Sequence, residues 1–207
     1  MNKKIPFFII LNLAAFLLGF GSMKVLAYST SIYKWSSGSV NYFINNAFAA
    51  SFVSAMQSAD SAWDAVGAKF KFNYNGTTSR NPNVFSYFSD GKSDIGYFNK
   101  GNNGIIATTN GFVYGGTAIF YEHDITLNIY YGFTTIGAAN KYDVQNVITH
   151  EFGHWLRLLD LYSGSGPSFC GTSFESTMCG IISSTGETRK RTLENDDKAG
   201  MIAIYGT

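Results

Sequence analysis

The pentapeptide His150-Glu151-Phe152-Gly153-His154 constrains this chain more than any other stretch. It holds two of the chain's three histidines, four residues apart. Residues 142–159 read as a helix, and on a helix four residues make about one turn, so both imidazoles leave one face. That face offers two nitrogens to a single Zn²⁺ at about 2.0–2.1 Å each. Glu151 lies about 100° round from His150 at 3.6 residues per turn. It is turned too far to be a good ligand and is placed to take a proton from a water that the metal activates.

Two histidines are not enough, because a catalytic zinc takes three protein ligands. Asp160 follows His154 by six residues. Were the helix to continue, Asp160 would lie about 9 Å further along and roughly 240° round. Asp160 therefore reaches the metal only if the helix stops near residue 157 and the chain doubles back. Glycine takes the left-handed conformation such a stop needs, but Arg157 stands there. Glu175 is a rival third ligand, 21 residues past His154.

Apolar residues make up 45% of the chain and charged ones only 14%, enough to build a core and too little charge for a disordered chain. A net charge of +1 provides no basic field for nucleic acid. At 207 residues a single main domain is expected. Residues 1–27 contain Lys3, Lys4 and Lys24 but no acid, and an apolar run over 5–20 precedes Val25-Leu26-Ala27. This predicts a secretory signal peptide cut after Ala27, with a retained anchor as the alternative. The remaining domain, 28–207, is then secreted, has no stable membrane association and is expected to be a monomer. An oxidising destination favours a disulfide between Cys170 and Cys179.

Short strands are predicted at 39–44, 69–74, 94–98, 105–109, 117–121 and 125–131. Helices are predicted at 50–66, 142–159 and 193–205. Asn75-Gly76 reads as a hairpin turn, with glycosylation of the Asn75-Gly76-Thr77 sequon as a weaker reading. Strands and one helix precede the site helix, an order that indicates an α+β fold.

The run His150-Glu151-Phe152-Gly153-His154-Trp155-Leu156-Arg157-Leu158-Leu159-Asp160 resembles the zinc signature of the metzincin endopeptidases. Ser176-Thr177-Met178-Cys179 resembles that family's Met-turn. The stretch from Leu193-Glu194-Asn195-Asp196-Asp197 to Tyr205-Gly206 is similar to the last helix of the matrixin branch. Lys34-Trp35 and Val40-Asn41-Tyr42-Phe43-Ile44 are similar to its first strand. The resemblance implies a twisted, mostly parallel sheet with an antiparallel edge strand, a zinc-site helix, a Met-turn and a C-terminal helix. It implies Asp160 as third ligand, Met178 beneath the zinc, and protein or peptide substrates. It leaves room for Ca²⁺. It also implies that a new ammonium group at Tyr28 pairs with Asp196 or Asp197, with capping of the last helix by both acids as the alternative. Substrate would lie along an edge strand, 105–109 or else 117–121, with Gly180-Ile181-Ile182 walling an apolar pocket. Arg157 departs from the family glycine, so Arg157→Gly is expected to relieve strain. Three other readings compete. One is a thermolysin-like zinc peptidase with Glu175 as third ligand. Another is a metzincin-like binding protein in which Arg157 has spoiled catalysis. The last is a Tyr-rich adhesion or carbohydrate-binding domain with an incidental histidine pair.

Overall fold

A computed structural model describes residues 28–82, 89–161, 176–180 and 184–207. In chain order these form strands β1 (Ser29–Thr30), β2 (Lys34–Trp35) and β3 (Ser39–Asn45), helix α1 (Ala50–Asp64), and strands β4 (Lys71–Thr78), β5 (Ser93–Phe98), β6 (Ala107–Val113) and β7 (Ile119–Asn128). Strands β8 (Phe133–Thr134) and β9 (Tyr142–Asp143), helix α2 (Val144–Trp155), strand β10 (Leu158–Leu159), a 3₁₀ turn (Arg189–Arg191) and helix α3 (Asn195–Tyr205) follow. No helix among the described residues is long and apolar enough to cross a membrane.

The main sheet is mostly parallel: β4, β3, β5 and β7 run side by side, with β2 on the start of β7. Strand β6 pairs antiparallel with β7 and, among the described residues, with no other strand. It is therefore an open edge. The 105–109 expectation fell on this strand, displaced toward its start. The runner-up at 117–121 is corrected: residues 119–128 are one continuous strand inside the sheet.

The expected hairpin at Asn75-Gly76 is overturned. β4 runs through both residues to Thr78, parallel to β3, with a register shift opposite Tyr42 and Ile44. Gly76 has φ +100°, so the glycine allows a bulge within the strand rather than a chain reversal.

One face of the sheet meets α1 and α2 through aromatic side chains. Tyr42 and Phe72 pack on Phe152, and Phe152 packs on Trp155. Two indoles fix α2 by its backbone: Trp63 Nε1 donates to the Thr149 carbonyl and Trp35 Nε1 to the Trp155 carbonyl, each at 2.8 Å. The N-terminus of α2 is capped by Asp143, which accepts from Asn146 N–H at 3.0 Å. Arg191 grips the same carboxylate through two nitrogens at 2.8 and 2.5 Å. A cap of this kind contributes about 1 kcal/mol, and the tertiary clamp holds the helix start in place.

Candidate metal centre

Helix α2 ends at Trp155, well short of residue 159. Leu156 N–H bonds back to the Phe152 and Gly153 carbonyls, and Arg157 N–H to His154 O at 2.9 Å. Arg157 then takes φ +82°, the left-handed conformation. The chain reverses there, and β10 pairs antiparallel with β1. Arg157 Nε donates to the Ser31 carbonyl, and Ser31 N–H returns to Arg157 O at 3.0 Å. Arginine thus holds the glycine-like conformation with Ser31, just past β1, as its partner.

The reversal brings Asp160 back to the histidines. Its Oδ1 lies 3.1 Å from His150 Nε2 and 3.5 Å from His154 Nε2. The three ligand atoms all lie within 4.8 Å of one another, so they could hold one metal ion. Among the described residues these three side chains are the group of histidine, cysteine and acid that converges in this way. Each imidazole is oriented by its other nitrogen. His150 Nδ1 meets Thr177 O at 2.7 Å and His154 Nδ1 meets Leu158 O at 2.8 Å. With Nδ1 at a carbonyl, each ring turns Nε2 toward Asp160, and Nε2 is the nitrogen that would ligate a metal. Burial disfavours charge on His150, but the Asp160 hydrogen bond and the Glu151 charge outweigh it and raise its pKa. The same local field favours a metal cation.

Glu151 is 6% exposed and is not among the converging ligands. Its Oε2 accepts from the Thr109 hydroxyl of β6 at 2.7 Å. The centre opens on a cleft of about 790 Å³ whose lining includes residues 104–109 and Gly111. Below α2 lies Met178, 1% exposed. A Cβ on Gly153 would stand 2.1 Å from Met178 Sδ and 3.1 Å from Trp63 Cζ2. Glycine in the middle of this helix is therefore required by the methionine beneath it.

Asp197 holds that methionine turn. Its carboxylate accepts from Thr177 N–H at 3.0 Å, Met178 N–H at 3.3 Å and the Ser176 hydroxyl at 3.2 Å. It also accepts from Glu194 N–H at 2.9 Å, completing a capping box for α3. Its oxygens thus serve the turn and the cap of α3. Tyr28 does reach α3, where its side chain lies against Gly200.

Cys179 is fully buried, while Cys170, Glu175, Ile181 and Ile182 lie outside the described residues, as does the segment 1–27. The disulfide, the rival ligand and the pocket wall are therefore not described. Two neighbours of the site escaped sequence reading. Lys190 is 1% exposed and its ammonium donates to the Cys179 carbonyl. His123 lines the cleft floor, boxed by Trp35, Phe120 and Trp155. Burial, and then the nearby His154, lower its pKa to about 3, so it stays neutral. Neither residue has a sequence spacing that points to the site.

No protein-family model matches the chain, and no curated protein matches it.

Proposed function

We propose that this chain is a secreted zinc endopeptidase of the metzincin type, closest to the matrixin branch. The observation that carries the reading is the approach of Asp160 to His150 and His154, with Glu151 beside them and facing an open strand edge. When bound, zinc supplies Lewis-acid polarisation of the scissile carbonyl and a nucleophile at neutral pH. Glu151 takes the proton of the attacking water and passes it to the leaving amine. Protein or peptide substrate pairs its main chain with β6, an affinity that asks little of sequence. Asp160 rather than Glu175 completes the ligand set, because the turn at Arg157 already returns it to both histidines. The chain is exported by its first 27 residues and acts outside the cell as a monomer.

Metal analysis and casein cleavage test this on the purified chain. Zinc is expected at one equivalent. Glu151→Ala keeps the zinc and loses about 10²–10⁴-fold in rate, the range of general acid–base catalysis. A zinc-loaded chain that cleaves nothing would leave a metzincin-like binding protein. A chain without metal would favour the adhesion reading.

A further inference from the structure

Thr109 stands on the open edge strand, and among the described residues its hydroxyl is the hydrogen-bond partner of the Glu151 carboxylate, at 2.7 Å. We infer that Thr109 is a positioning residue for the proton carrier: it fixes the Glu151 carboxylate from the strand on which substrate would lie. This rests on the peptidase reading and adds to it a residue outside the helix signature.

A glutamate side chain has three rotatable bonds, and on a helix its carboxylate can sweep widely. Thr109 restricts that sweep. β-Branching limits χ1, and the antiparallel pairing of Thr109 with Ile125 fixes its backbone. The hydroxyl is thus delivered to one place. It occupies Oε2 and leaves Oε1 for proton transfer.

The chemistry of the hydroxyl suits a group that alternates between charge states. It donates to a carboxylate, and after rotation it can accept from a carboxylic acid. The contact survives while Glu151 loads and unloads its proton. A lysine, an arginine or a backbone N–H would only donate and would favour the charged form alone. The neighbouring threonine provides a contrast. Thr108 points to the other face of β6, where its hydroxyl meets Lys100 Nζ at 2.6 Å. Strand alternation separates the two hydroxyls.

The test uses the zinc-loaded chain with Thr109→Val, which keeps shape and β-branching but removes the hydroxyl, and Thr109→Ser, which restores the hydroxyl. An internally quenched peptide gives kcat and KM, and competition with a chromogenic chelator gives zinc affinity. Thr109→Val should lose about 10–30-fold in kcat, part of the general-base contribution. KM and zinc affinity should stay within about twofold, and Thr109→Ser should recover most of kcat. Unchanged kcat in Thr109→Val beside an active wild type overturns the inference alone. So does a parallel loss of zinc affinity, or a serine variant as slow as the valine one. A zinc-loaded wild type that cleaves no peptide overturns the peptidase reading, and this role falls with it.

Discussion

Strand β7 separates two polar regions with opposite habits. Its Ile125 and Leu127 face the helices, on the side where His150, His154 and Asp160 converge. By alternation Glu122, Asp124 and Thr126 face the other side. There the polar groups are dispersed, and among the described residues Glu122 Oε1 has no hydrogen-bond partner. Arg80 takes Asp94 through two bonds of 2.6 Å, and Asp124 accepts from Asp94 N–H at 3.0 Å. Glu122 accepts from the Ser89 hydroxyl at 2.8 Å and Gly91 N–H at 2.6 Å. The outer face is richer in acid, yet among the described residues it brings no three ligand atoms together. Convergence of donors, rather than the number of acids, marks the candidate site.

The largest effect that distinguishes the regions is on metal. Asp160→Ala should lower zinc affinity by about 10²-fold or more, since it removes one of three ligands. Asp124→Asn should leave it unchanged. Chelator competition on both variants decides; zinc retained in Asp160→Ala would undo the ligand assignment.

The next effect is on pH dependence. Burial raises the Asp124 pKa from 3.8 to about 8. The folded chain therefore keeps this proton where the unfolded chain has released it. From about pH 4 to about pH 8 the folded form binds more protons, so stability falls as pH rises. Neighbouring Glu122, Asp94 and Asp90 push in the same direction as burial, and hydrogen bonding to Asp94 N–H opposes it. Asp124→Asn, still able to accept from Asp94 N–H, should flatten this slope in urea melts at pH 5 to 8. An unchanged slope would place the dependence elsewhere.

The smallest effect belongs to Arg157→Gly. Its φ of +82° costs an L-residue roughly 1–2 kcal/mol. The Ser31 bond opposes the loss, contributing about 1–2 kcal/mol after allowance for solvent. The two nearly cancel, so a change within about 1 kcal/mol replaces the gain that strain alone predicts. Amide exchange at Ser31 should quicken even where the melt barely moves. A clear rise in melting temperature would mean that the Ser31 clamp contributes little.

Local features were legible in the sequence because their geometry is set by neighbours along the chain. The His150–His154 spacing, the outward turn of Glu151 and the three helices follow from a 3.6-residue period. Strand pairing was not legible: Asn75-Gly76 suits a hairpin turn or a bulge, and only the arrival of β4 beside β3 selects the bulge. Helix α2 was read too long because nothing in residues 156–159 forbids a helix; pairing of β10 with β1 ends it. Asp197 looked like a partner for the chain terminus or a cap of the last helix, and nothing local announced that packing of α3 under the methionine turn would also give it Thr177 and Met178. Thr109 and Glu151 are 42 residues apart, and no periodicity links them. The sequence by itself set which residues are candidates to hold a metal and to move a proton. The tertiary structure decided which of them meet, because that depends on long-range packing of segments whose local preferences do not encode their partners.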